Sequence, residues 1–223
     1  MATRFYLPSS GTSPLPSLAG HTGWATDATP NARRPMSTSK TNTSVVETGE
    51  TTTGVSQERN NIQFCSPPLA AQSFLNTDTY NGIIKCKEDN ANRNIFLASV
   101  CYIVSSDGST IRGTLYNDTV GGSDIEFPTT ANEATRAISD AFIGSHSSVD
   151  SQDGDYLILE VGIACNASAT AGTGTMQFLD DNASDYAFTT GLTTDLNPWF
   201  ELSRNVVFKS SSSNQLMMTG CGT

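Results

Sequence analysis

Short apolar runs separated by turn-forming residues make up the sequence from about residue 62 onward, and this pattern restricts the fold more than any other feature. The runs are rich in Ile, Val, Phe, Tyr and Thr, and they are bounded by Gly, Asn, Asp and Ser, which is typical of β-strands. Helical periodicity is scarce, and only the segment 132–142 could form a short helix instead of a strand. Strands are predicted near residues 62–65, 69–76, 79–87, 94–105, 110–117, 134–143, 155–166, 173–180 and 197–208.

Two turn signals divide these runs. In SSDGST, Asp107-Gly108 predicts a tight hairpin, because glycine readily supplies the positive φ that such a turn needs. Asp153-Gly154 predicts a second turn before a long apolar run. A series of strands without alternating long helices indicates an all-β fold, an antiparallel two-sheet β-sandwich of jelly-roll type.

The first 60 residues differ in kind from the rest. They hold many of the prolines and long Ser/Thr/Asn/Gly tracts, and Phe5, Tyr6, Leu7 and Trp24 are among their few large apolar residues. Such a segment cannot offset its own ordering entropy, so it is expected to lie against its own body, a sister subunit or another protein. The predicted organisation is an extended N-terminal arm (1–60), a β-sandwich (61–208) and a short C-terminal extension (209–223).

The chain is acidic, with 12 Lys+Arg against 22 Asp+Glu and a net charge of -10. The arm carries five basic and four acidic residues, so the acidity belongs to the body. This charge has the wrong sign for binding the phosphates of nucleic acid. The longest apolar stretch, 96–104, is far shorter than the roughly 20 residues of a membrane helix. Neither nucleic acid nor membrane is an expected partner.

The sequence offers no recognisable catalytic constellation. It has only two histidines, His21 and His146, and no GxSxG or GxxxxGK motif. Glu160 and Asp180 are carboxylates of the type that glycosidases use, but nothing in the sequence sets their separation. The five cysteines lie far apart without a CxxC motif, which indicates free thiols that act as small core residues. We therefore expect no enzyme activity and no cofactor.

Two further features leave alternatives open. The turn LDDNASD places Asp180, Asp181 and Asp185 close together, as a Ca²⁺ site would, but its spacing does not match an EF-hand and an ordinary Asx turn is favoured. Trp199 could stack on a glycan or pack under the rim of the sandwich. Because side chains alternate along a strand, one of the pairs Trp199/Glu201 and Phe200/Leu202 should face the core.

Six segments, taken in order, resemble those of a family of tailed-bacteriophage virion proteins. They are ATRFYLPSS, WATDATPNARRPM, VSSDGSTIRGTL, QDGDYLILEVG, FLDDNASD and NPWFELS. The similarity spans roughly residues 2 to 203, and the opening and the two closing motifs are the most specific. Two departures are that Trp24 is followed by Ala25, where relatives often have Glu, and that the chain continues past the point where relatives tend to stop.

The layout is similar to that of capsid cement proteins of cyanophage-type siphophages, in which a jelly-roll body with extended arms sits as a trimer between capsomers. The resemblance implies a non-enzymatic cement or decoration subunit, made in the host cytoplasm, that bridges major capsid proteins on the outer surface of the virion head. The alternative is a tail- or head-fibre module that binds glycan. On the capsid hypothesis, the partner-docking residues are expected in the arm: Arg4, Phe5, Tyr6, Leu7, Trp24, Arg33 and Arg34.

Overall fold

A computed structural model describes residues 1–15, 21, 24, 30, 32–52, 56–119, 125–141, 143, 145–165 and 171–210. Strands dominate it, and one short 3-10 helix occupies Thr130–Asn132. The strands are β1 (Thr3–Tyr6), β2 (Ala32–Pro35), β3 (Val46–Thr52), β4 (Gln57–Cys65), β5 (Gln72–Phe74), β6 (Tyr80–Glu88), β7 (Ile95–Val104), β8 (Ile111–Asp118), β9 (Ala134–Ser139), β10 (Val149–Ser151), β11 (Tyr156–Cys165), β12 (Gly172–Phe178) and β13 (Trp199–Leu202). Within the described ranges, no helix is long and apolar enough to cross a membrane.

The strands form two large sheets. In sheet A, β6 pairs with β9 along one edge and with both β12 and β13 along the other, and β3 and β1 lie outside β12 and β13. Sheet B has the order β2-β4-β11-β7-β8, and β5 and β10 form a separate pair. All pairs are antiparallel except β2 with β4. The all-β, two-sheet prediction is confirmed, and the possible helix at 132–142 is replaced by strand β9.

Eight of these strands pair in a nested order. Among these eight, the outermost pair in sequence is β3 with β12, and inside it lie β4 with β11, β6 with β9, and β7 with β8. The pairs β1 with β13 and β5 with β10 follow the same nesting. The innermost pair is the hairpin predicted at Asp107-Gly108. There Gly108 has a φ of 76°, and the Ser105 amide donates to the Thr110 carbonyl at 2.8 Å.

One apolar core fills the space between the sheets. Aromatic pairs connect them directly: the ring centroids of Phe64 in sheet B and Phe178 in sheet A lie 5.1 Å apart, as do those of Tyr116 and Tyr80. The four described cysteines, Cys65, Cys86, Cys101 and Cys165, are free and buried, as the sequence predicted. Cys221 lies outside the described residues.

The predicted boundary between arm and body is wrong. It falls inside β4, and the first 60 residues also supply β1, β2 and β3. Phe5, Leu7 and Met36 belong to the main core. The physical reason is alternation: in β1, Phe5 points inward while Tyr6 points outward, so even a polar segment can contribute to the core when its few apolar residues share one face. The C-terminal extension from residue 211 lies outside the described residues.

Both sheets are also covered on their outer faces. On sheet B, Leu15 and Trp24 from the arm pack against a second apolar cluster that includes Val100, Tyr102 and Ile158. Nearly every residue of β7 and β11 is therefore buried. On sheet A, Ile83 and Trp199 are covered by three residues of the loop that precedes β13, namely Tyr186, Leu192 and Leu196.

We expect Leu7→Ala to destabilise the fold strongly, because Leu7 is 0% exposed and its loss leaves a cavity in the main core. The expected loss of unfolding free energy is about 2–5 kcal/mol. The matched control is Leu75→Ala, at a leucine that is 47% exposed, for which a change within about 0.5 kcal/mol is expected. Urea unfolding followed by circular dichroism measures both values. Equal effects would show that the arm does not belong to the core.

Candidate functional site

The structure places the predicted docking residues of the arm mainly inside the protein. Phe5 and Leu7 are 0% exposed and Trp24 is 4% exposed. Their apolar surface is buried against the chain's own two sheets, so of the three alternatives for what the arm lies against, its own body is the one observed for these residues. The region where the arm crosses the outer face of sheet B, around Trp24, is the candidate site.

The centre of this region is the carboxyl group of Glu160 on β11, which is 0% exposed. The Trp24 indole N–H donates to its Oε2 at 2.7 Å, and the Tyr102 hydroxyl donates to its Oε1 at 2.9 Å. The Gln63 amide donates to the same Oε1 at 2.6 Å, and the backbone N–H of His21 donates as well. Residues of the arm and of three strands therefore converge on one buried carboxyl group.

Arg33 fixes the orientation of Gln63. Its Nε donates to Gln63 Oε1 at 2.9 Å, and because a guanidinium can only donate, the amide oxygen of Gln63 must face it. The Gln63 amide nitrogen then faces Glu160. The result is a directed chain of hydrogen bonds from the edge strand β2, through β4, to the middle of sheet B.

Burial controls the titration of this region. It raises the pKa of Glu160, because the effect of desolvation exceeds that of the donors, which favour the charged form. Burial lowers the pKa of His21, whose Nε2 lies 3.0 Å from the Thr114 hydroxyl. Both shifts come from placing arm residues against sheet B. Glu160 and Asp180 are held by different partners on different sheets, so the structure does not bring these two carboxylates together.

A second anchor holds the arm at the end of β12. The carboxylate of Asp180, which is 0% exposed, accepts four hydrogen bonds from two arm threonines. The donors are the Thr41 amide (2.8 Å), the Thr41 hydroxyl (2.7 Å), the Thr43 amide (2.9 Å) and the Thr43 hydroxyl (2.8 Å). These bonds occupy the lone pairs that a cation would need.

The rest of the acidic turn binds a cation that belongs to the chain itself. The Lys40 ammonium lies 2.9 Å from Asp185 Oδ1 and donates to the backbone carbonyls of Asn182 (3.1 Å) and Ala183 (2.9 Å). Burial raises the pKa of Asp185, but the hydrogen bonds from Lys40, Tyr6 and Asn197 outweigh it and lower the pKa overall. Within the described ranges, no group of three His, Cys, Asp or Glu side chains could hold a metal ion.

Trp199 is 3% exposed, which leaves little of its ring for a glycan. Its indole N–H donates to the Tyr186 carbonyl at 2.7 Å, and the Arg4 guanidinium lies 3.9 Å from the ring centroid. Arg4 also pairs with Asp185 (3.2 Å) and Glu201 (3.0 Å). The alternative that Trp199 packs under the sandwich rim is therefore the correct one, and Phe200 and Leu202 face the main core.

His146, the other histidine, lies in the loop between β9 and β10. Its Nε2 is 3.3 Å from Asp140 Oδ1, and its ring stands edge-on to Tyr80, with the centroids 5.2 Å apart. These neighbours hold the loop against the end of β6.

The two remaining arm arginines differ in exposure. Arg34 is buried, and its guanidinium donates to the Pro8 carbonyl at 3.4 Å. Arg33 is half-buried and helps to line a shallow pocket of about 410 Å³ together with Thr12, Ser13 and Leu15.

Sequence reasoning missed Glu160, Gln63 and Tyr102 as anchors of the arm. One signal was available in the glycine of the run LILEVGIAC. A Cβ atom at Gly162 would lie 2.9 Å from the Trp24 ring and 2.0 Å from the Arg59 carbonyl oxygen. A glycine inside a strand often marks such a close approach of another segment.

A scan against models of known protein families finds no match, and a search of curated proteins finds no significant match either.

We expect Trp24→Phe to cost more stability than Trp199→Phe. The first change removes a donor to the buried Glu160 carboxyl group, and the second removes a donor to a backbone carbonyl. Hydrogen bonds to charged groups contribute about 1.5–3 kcal/mol and neutral ones about 0.5–1.5 kcal/mol. Urea unfolding of the two variants gives the comparison. An equal or reversed order would mean that Glu160 does not anchor the arm.

We expect Asp180→Asn to lower the unfolding free energy by about 1.5–3 kcal/mol, because an amide cannot accept all four hydrogen bonds. The neighbouring Asp181 is exposed, so Asp181→Asn is the control, with an expected change within about 0.5 kcal/mol. Thermal melts with and without millimolar Ca²⁺ complete the test. A Ca²⁺-dependent rise in Tm that Asp180→Asn abolishes would make the turn a cation site instead.

Proposed function

We propose that this protein is a structural subunit of a tailed-phage particle, a cement or decoration protein that bridges major capsid proteins on the outer surface of the head. The observation that carries the proposal is the nested pairing of eight strands. This order supports the proposal of a jelly roll, in which the chain folds as a long hairpin whose two halves run together through both sheets. Jelly rolls recur in viral capsid proteins.

The segments that resemble the phage family support this proposal by their contacts. Arg4 of ATRFYLPSS pairs with Asp185 of FLDDNASD and with Glu201 of NPWFELS, and it covers Trp199 of the same closing motif. The opening and closing motifs thus meet in one cluster, where β1 pairs with β13. Residues far apart in sequence are therefore part of one structural unit, as expected if the resemblance reflects a shared fold.

The distribution of charge also fits a particle surface. A net charge of -10 on each subunit keeps decorated particles apart in solution. Two basic residues of the arm, Arg4 and Lys40, form ion pairs with Asp185 of the acidic turn within the chain. These ion pairs leave the net charge of -10 unchanged, which suits a protein that faces solvent on a crowded particle.

The alternative function, a tail- or head-fibre module that binds glycan, is less well supported. Its aromatic candidate was Trp199, which is 3% exposed; Arg4 lies over its ring, the Phe188 ring lies 5.9 Å away and its N–H donates to the Tyr186 carbonyl. A fibre module would have to bind glycan through other side chains.

A homotrimer is the proposed assembly, since strand edges of a jelly roll need cover and a threefold arrangement can supply it. Residues of the chain itself cover part of these strand edges. The Asn61 amide donates to the Thr48 carbonyl of β3 at 2.9 Å, and the Gly191 amide donates to the Thr135 carbonyl of β9 at 3.1 Å. Light scattering on the purified protein tests the trimer, and a stable monomer would contradict it.

We expect a copy number per particle of the same order as that of the major capsid protein, because a cement subunit occupies a repeated lattice position. Quantitative gel densitometry or mass spectrometry of purified virions provides the measurement. Particles stripped of the protein should rebind it at the head and gain resistance to heat. A copy number of a few dozen, or labelling confined to the tail, would favour the fibre module and overturn the cement proposal.

A further inference from the structure

Arg33 is unusual in this acidic chain because it pairs with no carboxylate in the described ranges. Every other basic residue that is half-buried or exposed forms an ion pair with a carboxylate. These residues are Arg4, Lys40, Arg59, Lys87, Arg112, Arg204 and Lys209. With the described residues, the Arg33 side chain forms a single hydrogen bond, from Nε to Gln63. With 22 Asp+Glu against 12 Lys+Arg, an accessible cation without a carboxylate needs an explanation.

The guanidinium of Arg33 is held in place by the network around Glu160. Its Nε is tied to Gln63, and Gln63 in turn is tied to the buried carboxyl group at 2.6 Å. Among the residues that the structure describes, the two terminal nitrogens of Arg33 have no hydrogen-bond partner. A planar guanidinium with both terminal groups open binds a carboxylate in a fork, and fixing it beforehand reduces the entropy lost on binding.

The surroundings of Arg33 fit an acidic side chain of a peptide. The pocket beside it has a volume of about 410 Å³ and is lined by the polar Thr12 and Ser13 and by the apolar Leu15 and Pro30. This volume is near the lower end for binding pockets, which suits one or two side chains. A carboxylate could reach Arg33 while its apolar stem rests on Leu15 and Pro30.

We infer that the Arg33 pocket receives an Asp or Glu side chain of the major capsid protein. This inference rests on the proposed function and specifies one contact within it. A second copy of this chain is the competing source of the carboxylate, and the oligomeric state of the Arg33 variants distinguishes the two sources. Nucleic acid phosphates are disfavoured because the net charge of -10 repels them. Of the three arm arginines predicted for docking, Arg33 is the one that remains available.

The test is rebinding of purified protein to particles that have been stripped of it, with bound protein measured by sedimentation. Arg33→Glu should weaken binding by roughly 10- to 100-fold relative to the wild type, since it removes a charge-assisted contact and adds a repulsive one. Arg33→Lys should retain part of the affinity, because it keeps the charge but not the fork. The control is Lys209→Glu, at an exposed residue paired with the exposed Asp153, which should bind like the wild type.

Each outcome decides between the alternatives. If wild-type protein binds stripped particles and Arg33→Glu binds equally well, the inference is wrong while the proposed function stands. If the wild type itself does not bind, the proposed function fails first. If Arg33→Glu changes the oligomeric state in light scattering but not particle binding, the carboxylate comes from a second copy and the assignment to the capsid protein is overturned. Thermal melts of Arg33→Lys and Arg33→Glu exclude loss of the fold as the cause.

Discussion

Two central strands that are apolar on both faces govern the organisation of this protein. In β7 and β11 nearly every residue is buried, although an antiparallel sheet commonly leaves one face in water. Sheet A covers one face of these strands. The N-terminal arm has to cover the other, which it does with Leu15 and Trp24. A segment that is too polar to fold alone is ordered because the sheet beneath it would otherwise expose a large apolar surface.

Buried carboxyl groups make this arrangement specific. Glu160 and Asp180 are 0% exposed, and desolvating a carboxylate is costly unless donors satisfy it. The arm supplies such donors, from Trp24 and His21 to Glu160 and from Thr41 and Thr43 to Asp180. The position of the arm therefore depends on these carboxyl groups, and the carboxyl groups depend on the arm for their hydrogen-bond donors. Apolar contacts alone would tolerate a shift along the sheet, whereas these directional bonds define one position.

This internal use of polar residues limits where a partner can bind. An arm that packs against both sheets cannot extend far from the body, so the proposed contacts on a capsid would have to use side chains that the fold leaves accessible. Arg33 combines accessibility, an open guanidinium and a fixed position beside a shallow pocket. The network that anchors the arm thus also holds Arg33 in place for the proposed contact. Folding and the proposed docking function share this network, so binding measurements have to be paired with measurements of stability.

The sequence by itself determined the all-β class, the position of most body strands and the hairpin at Asp107-Gly108, because strand alternation and turn chemistry are local properties. It also identified the buried free cysteines. Only the tertiary structure decided where the arm lies, why Trp199 is covered and which carboxylates are used internally. These outcomes depend on partners far apart in the chain, such as Trp24 and Glu160, which are 136 positions apart. Composition gives the amount of apolar surface in a segment, but only the packing of the folded chain determines which residues that surface contacts.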